Sequence, residues 1–364
     1  MNTANALAAA AIPWASDPAQ KEAALKAVSD MTEQMLAGLK AYQATIVQQG
    51  RQQRQHVWQD GSTKLLQVNP AAGNAAPPVL LVPSLINRHD ILDLDAQHSF
   101  AEFLAGQGYA PFILEWGQPA ATEKKFRIDD YIRNRLYPAL EMLHKKYGPV
   151  HVVGYCMGGT MAAGAVAALD KQNSVRSLTL LAAPWDFEAG DKTVALRMHA
   201  FTNAAAGVME ATGTLPVDWI QALFASIDPL FAFNKFRAFA DMKPDSPEAR
   251  RFIIVEDWLN DGVDLAAPAA LQALQEWYVD NQPYNGVWTI GSKMVDAENI
   301  KVPTLVVAAS NDKLVPAQSA LAIVQQIDAC QSMSPEVGHI GMMASTRAAK
   351  LVWQPIADFL NSVT

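Results

Sequence analysis

Gly154-Tyr155-Cys156-Met157-Gly158-Gly159 joins a short apolar run over 151–155 to a small-residue run over 157–170. The first run reads as a strand and the second as a helix, so Cys156 falls at a strand-to-helix junction with a glycine two residues to either side. This is the arrangement called a nucleophile elbow. Its glycines let the strand and helix backbones approach closely around a strained turn, which holds the reactive side chain out at the top of a sheet, over the helix N-terminus. The nucleophile here is a thiol. A helix starting at Met157 aims its positive dipole end at that thiol and favours the charged form.

Outward from this turn the chain alternates strand, turn and helix. Strands are predicted over 78–83, 109–116 and 177–183, and helices over 99–106 and 129–147, the latter with Ile132, Leu136, Leu140 and Leu143 on one face. Such alternation implies a largely parallel sheet covered on both faces. The pattern stops at Phe187 and resumes with a strand over 302–309. The stretch between is rich in Trp, Phe and Met and broken at Pro216, Pro229, Pro244, Pro247 and Pro268. Because both of its ends must return to one sheet, it is expected to be a cap over the sheet's carboxyl edge. The expected division is an N-terminal helical or extended segment (1–75), two parts of an α/β core (76–186 and 296–364) and a cap (187–295). Within the first segment, Met31, Met35, Leu36, Leu39 and Tyr42 form an apolar stripe that suits a helix packed on the core, or a helix that binds a partner.

A length of 364 residues suits one decorated α/β domain with a sizeable insertion. A net charge of −8 and the lack of any Lys/Arg-rich stripe argue against a nucleic-acid partner and favour a small acyl substrate or a protein. Cys156 and Cys330 are too few for a disulfide framework, so a cytoplasmic location is expected. The Ala-rich stretch over 4–15 has no preceding Lys or Arg and is too short to span a bilayer. It reads as a tail and not an export signal, and no transmembrane segment is expected. Neither a clustered His/Cys/carboxylate motif nor a dinucleotide-type glycine loop is present, so no metal and no bound cofactor are expected.

A thiol at an elbow needs a base, and the base needs an orienting acid. The strand over 303–309 runs into Ser310-Asn311-Asp312-Lys313-Leu314-Val315-Pro316, and Glu336-Val337-Gly338-His339-Ile340-Gly341 places a histidine in a glycine-flanked loop. Taken singly, Asp312 reads as a turn or helix cap, His339 as a satisfied loop residue and Cys156 as packing. Together, the order Cys156, Asp312, His339 is that of the triad along an α/β-hydrolase chain. His56, His89, His98, His144, His151 and His199 all precede Asp312, and Cys330 lacks flanking glycines. The oxyanion hole is expected from the backbone N–H of Met157 and one from Ser84-Leu85-Ile86-Asn87, with Leu85 the choice. Passing an acyl group from a thioester to a cysteine conserves its activation, so later attack by an alcohol stays downhill. A thiol therefore favours acyl transfer from an acyl-thiol donor to a hydroxyl, without forbidding hydrolysis.

From the first core strand to the C-terminus the chain resembles the polyhydroxyalkanoate synthase family, acyltransferases that polymerise (R)-3-hydroxyacyl-CoA. The resemblance rests on Val82-Pro83-Ser84-Leu85-Ile86-Asn87-Arg88 followed by Ile91-Leu92-Asp93-Leu94, then Glu115-Trp116-Gly117, the cysteine box, Asp312 with Val315-Pro316, and Gly338-His339-Ile340-Gly341. Trp258-Leu259-Asn260-Asp261, with Trp277-Tyr278 and Asn281, also resembles the family's cap. The resemblance implies that Cys156 carries the growing acyl chain, that His339 acts as base and that Asp312 orients it. It further implies a hydroxyacyl-CoA substrate with coenzyme A as leaving group, a growing polyester, a second synthase subunit or a homodimer, and association with polymer granules. Three departures mark a divergent branch: Glu115 where the family usually has Asp, Lys313 where it commonly has His, and Leu259 interposed in a Trp-Asn pair. Dienelactone hydrolases resemble the cysteine box too, but they are shorter and lack a large cap. A cysteine-nucleophile hydrolase (thioesterase, lactone or polyester hydrolase) and a non-catalytic granule scaffold are the alternatives.

Overall fold

The computed structural model describes residues 18–47, 50, 53–70, 76–170, 173–190 and 193–363, so the Ala-rich tail over 4–15 lies outside the described residues. The chain divides into two compact units, one of Met1–Gln48 with Ala225–Glu256 and one of Gln49–Phe224 with Asp257–Thr364. In the first, the helix Pro18–Ala44 packs on the helix Phe231–Ala240. Gly38 makes this possible, since a Cβ there would overlap the Phe236 carbonyl. Met31, Met35, Leu39 and Tyr42 of the predicted stripe are partly buried, whereas Leu36 is exposed. Phe239 stacks on Phe252 with ring centroids 4.4 Å apart, beside the buried Ala249 and Ile253.

The second unit is built on an eight-stranded sheet. Its strands in chain order are β1 (Gln55–Asp60), β2 (Thr63–Gln67), β3 (Pro78–Val82), β4 (Ala110–Glu115), β5 (Val150–Tyr155), β6 (Val175–Leu181), β7 (Thr304–Val307) and β8 (Cys330–Met333). They lie in the order β1-β2-β4-β3-β5-β6-β7-β8. From β4 to β8 the sheet is parallel, and β1 and β2 add an antiparallel edge. β3 and β5 are buried along their whole length, as continuous apolar runs in a doubly covered parallel sheet must be.

Sequence reading began the core at residue 76, put its first strand at 78 and missed β1, β2 and β8. Both outer strands are half-polar: Gln55, His56, Gln59 and Asp60 are exposed on β1, and Gln331 and Ser332 on β8. Edge strands pack little against a core and therefore carry little hydrophobic signal. The β1–β2 turn is tied to the interior by Arg135, whose guanidinium reaches Glu123 at 2.7 Å and Asp60 at 3.1 Å. Burial alone would raise the Glu123 carboxyl, but Arg135 and the Ser62 N–H hold it below its ordinary value.

The helix Met157–Leu169 packs on one face of the sheet and is almost entirely buried; a Cβ on Gly164 would strike Trp288. The helix predicted over 129–147 exists but is interrupted. A π-helical turn, Ile132–Leu136, separates Ile128–Tyr131 from Tyr137–Tyr147, where Pro138 has no N–H to donate into the preceding turn. Between β6 and β7, among the described residues, no strand joins the main sheet; the chain there forms the expected helices, with one short hairpin (Thr289–Ile290 with Lys293–Met294) and one long-range strand pair (Thr214–Leu215 with Leu265–Ala266) besides. Among the described residues no helix is long and apolar enough to cross a membrane.

Register decides where the chemistry can sit. Val82 pairs with Gly154, Tyr155 with Leu181, Leu181 with Val307 and Val307 with Met333. The carboxyl ends of β3, β5, β6, β7 and β8 are therefore level, and the turns that leave them share one edge, where α/β sheets bind their ligands.

Candidate active site

Cys156 sits in the first residue after β5 with φ 55° and ψ −131°, a left-handed backbone conformation that costs a non-glycine residue energy. The turn is held by its own hydrogen bonds: the Cys156 N–H donates to Leu181 at 2.8 Å, and the Cys156 carbonyl accepts from Gly159 at 2.8 Å. The flanking glycines are needed for space. A Cβ on Gly154 would meet the Gly159 Cα, and one on Gly158 would meet the carbonyl oxygens of Val82 and Pro83. Those oxygens belong to a buried strand end and cannot swing aside. Gly158→Ala is thus expected to destabilise the fold by about 2 kcal/mol through overpacking, measured as a lower urea midpoint.

The loops after β7 and β8 zip together. Ser310 N–H donates to Pro335 at 3.0 Å and Asn311 N–H to Val337 at 3.1 Å, which brings Asp312 beside His339. Asp312 Oδ1 accepts from the N–H groups of Leu314 and Val315, both at 2.8 Å, and Oδ2 lies 2.6 Å from His339 Nδ1. One carboxylate oxygen is fixed by backbone and the other is left for the imidazole. Burial works against a charged imidazole at His339. The charge of Cys156, followed by the contacts to Asp312 and Cys156 and the Asp312 charge, outweighs it and holds the group up at about 10. Cys156, Asp312 and His339 thus lie at one edge of the sheet, with His339 hydrogen-bonded to Asp312 and within reach of the Cys156 charge.

Gly158 lies against the end of β3, so the start of the nucleophile's helix and the loop carrying Leu85 are adjacent. Ile86 N–H donates to Ser84 Oγ at 3.3 Å, while the Leu85 N–H has no acceptor among the described residues. Tyr155 donates its hydroxyl to the His339 carbonyl at 3.2 Å, and their rings lie 5.1 Å apart. Burial, then the charges of Cys156 and Asp312, push the phenols of both Tyr155 and Tyr278 well up, so both rings border the same polar centre as neutral groups. Tyr278 packs on Phe187 at 4.8 Å. The Phe187 N–H donates to Asn281 Oδ1 at 2.9 Å, and Asn281 Nδ2 donates to Asp186 at 2.8 Å.

Sequence reasoning named Tyr278 and Asn281 only as part of a likeness, and did not single out Asp186 or Phe187. Nothing in spacing joins residue 187 to residue 281; only the chain's return across the sheet does. The remaining histidines are elsewhere. His151, for one, is buried in β5 against Ser177 at 2.7 Å, and burial with the Arg176 charge lowers it to about 4. Cys330 starts β8, where burial pushes its thiol up to about 11.

Comparison with known proteins gives matches to two family models, an alpha/beta hydrolase fold over residues 77–216 and a serine hydrolase over residues 261–354. Among curated proteins, the poly(3-hydroxyalkanoate) polymerase subunit PhaC of Haloarcula marismortui is 28% identical over 318 residues, covering 84% of this chain and 66% of that protein. PhaC of Haloferax mediterranei is 27% identical over 78% of this chain and 58% of its own length, so the chain spans less than two thirds of these two relatives. PhaC of Synechocystis is 28% identical and covered to 91% on both sides. Among solved structures, a serine hydrolase from Cycloclasticus zankles has a TM-score of 0.54 at 16% identity, covering 85% of this chain and 98% of its own. A thermophilic esterase from Thermogutta terrifontis has a TM-score of 0.53 at 16% identity, covering 86% and 98%. At that identity these two establish the fold alone.

Proposed function

The chain is a divergent homologue of the PhaC proteins within the α/β-hydrolase superfamily, and from that premise we propose that it is an acyl-transfer enzyme working through a thioester on Cys156. The observation that carries the reading is the His339–Asp312 contact at 2.6 Å beside a thiol held in a left-handed elbow. In the first step the Cys156 sulfur attacks the carbonyl carbon of a 3-hydroxyacyl-CoA. The resulting oxyanion is held by the N–H groups of Met157 and Leu85, and collapse releases the coenzyme A thiol with the proton carried by His339. In the second step His339 takes the proton of an acceptor hydroxyl, whose oxygen attacks the Cys156 thioester; an ester forms and the Cys156 thiol is restored. Asp312 holds His339 in the tautomer that both steps need.

When the acceptor is the hydroxyl of a further 3-hydroxyacyl-CoA, the acyl chain leaves Cys156 one unit longer as a coenzyme A thioester, and its return to Cys156 with release of coenzyme A repeats the cycle to give a polyester. When the acceptor is water, the same site is a hydrolase. The serine hydrolase model that matches residues 261–354 favours this second reading of the acceptor; the relatives' names and the thiol favour the first. We assign 187–295 the role of a cap that keeps water from the thioester, and 76–186 and 296–364, together with β1 and β2, the core. A cytoplasmic enzyme that works with a second subunit or as a homodimer, on the surface of polymer granules, completes the proposal.

Purified protein given 3-hydroxybutyryl-CoA is expected to release free coenzyme A and accumulate insoluble polyester, with hydroxyacyl units added to its intact mass. Coenzyme A release with free hydroxy acid alone would assign the hydrolase. If polymer content in cells follows deletion of the whole protein but is untouched by Cys156→Ala, the protein is a scaffold.

A further inference from the structure

The loop that presents the Leu85 N–H is tied down on both sides by segments far away in sequence. Upstream, the Trp116 indole donates to the Pro83 carbonyl at 3.0 Å. Trp116 is itself fixed, since its carbonyl accepts from Ser62 Oγ at 2.9 Å and Thr63 Oγ1 at 3.3 Å. Downstream, the residues that follow Leu85 are each held by the stretch 258–263. Val263 N–H donates to the Ile86 carbonyl at 3.2 Å, Asn87 forms a bridge with Gly262, and the Trp258 indole donates to the Arg88 carbonyl at 2.9 Å. Arg88 Nε also lies 2.8 Å from Asp261 Oδ2, an ion pair held by charge and not by an aligned hydrogen bond. Trp116 and Trp258 are both nearly buried. In contrast, Leu85 itself contributes no hydrogen bond to this fastening, and its N–H is the group left over.

From this geometry we propose that 258–263 is a positioning clamp for the Leu85 N–H, with the Arg88–Asp261 pair and the Trp258 indole as its fasteners. This rests on the acyl-transfer reading above. A donor aimed at a developing oxyanion works only if it is held before the charge appears, and displacement by a few tenths of an ångström weakens it in the transition state more than in the ground state. The fasteners therefore act on turnover and not on substrate affinity. The clamp also gives a physical reason for three separated sequence motifs to occur in one chain: Ser84-Leu85-Ile86-Asn87-Arg88, Glu115-Trp116-Gly117 and Trp258-Leu259-Asn260-Asp261 converge on one loop. The Arg88–Asp261 pair is half-exposed, so its loss should loosen the loop without unfolding the domain.

The test compares wild type with Asp261→Asn, Trp258→Phe and the exchanged pair Arg88→Asp/Asp261→Arg, using 3-hydroxybutyryl-CoA as the probe. Asp261→Asn is expected to lower kcat for coenzyme A release about 10-fold with KM within about 2-fold. The exchanged pair is expected to recover most of the loss. Amide hydrogen exchange over 84–88 should quicken in Asp261→Asn at unchanged urea midpoint, and in Trp258→Phe more than over the sheet strands, whose exchange reports the lowered global stability of that variant; this readout does not depend on any substrate. Unchanged exchange over 84–88 overturns the clamp, and so does a rise in KM at constant kcat, which would make Arg88 a substrate contact. Failure of the acyl-transfer reading shows separately, as coenzyme A release that survives Cys156→Ala.

Discussion

Cys156→Ala is expected to lower kcat/KM for thioester cleavage by about 10⁴-fold or more and to abolish the acyl mass adduct on the intact protein. The size follows from what is lost. Without the sulfur no covalent intermediate forms, and His339 with the oxyanion donors can only assist direct attack by water, which such donors accelerate far less than a nucleophile does. Cys156→Ser separates attack from transfer. A serine oxygen can take the acyl group, but the ester it forms is no more activated than the product ester, so transfer to an alcohol loses its driving force. The expected result is a slow, stoichiometric adduct with no turnover. A Cys156→Ala protein that keeps a tenth of the wild-type rate would remove the thiol from the mechanism.

Asp312→Asn is expected to cost about 10³- to 10⁴-fold in kcat and to lower the urea midpoint at pH 7, because it removes one of the charges that favour the charged imidazole. In the native loop Oδ1 is committed to two backbone N–H groups, so an amide would keep its oxygen there and turn its NH2 toward His339 Nδ1. A donor facing Nδ1 forces the ring proton onto Nε2, the nitrogen that must accept from the thiol. His339 also makes stability depend on pH. Its ordinary value of 6.5 is raised to about 10 in the fold, where burial opposes the charge but Cys156 and Asp312 more than offset it. The charged imidazole is therefore favoured by the folded state. Its contribution is fully present below pH 6.5 and is lost as pH rises through about 10. Urea midpoints of wild type should fall between pH 7 and pH 10.5, and His339→Gln should flatten that fall. An equal slope in both proteins would show that His339 is not held charged.

The elbow was legible because its constraint is local. Gly154, Gly158 and Gly159 face backbone or a neighbouring Cβ at positions where no side chain fits, so the requirement is written at each residue as an absent side chain. Asp312 stood out because it follows the end of a predicted strand and His339 because glycines flank it in a loop, whereas β8, which sets His339 beside Asp312, went unread. The margins of the site were not. Asn281 holds Phe187 through a hydrogen bond between residues 94 apart, and Trp116 holds Pro83 across 33. No periodicity encodes such pairs, because each partner alone reads as ordinary packing. The sheet's outer strands failed in the opposite way, their polar residues mimicking a loop.

Sequence alone determined the parallel core, the thiol at its elbow and the chain order Cys156, Asp312, His339, since those depend on apolar runs, glycines and turn residues read a few positions at a time. Tertiary structure decided the register that levels β3, β5, β6, β7 and β8, and the contact of Asp312 with His339. It also decided that Trp116 and Trp258 both close on the loop of Leu85. The reason is physical: a backbone constraint acts where it is written, whereas the aim of an N–H or the tautomer of an imidazole is set by whichever distant residues the packed sheet brings within hydrogen-bonding distance.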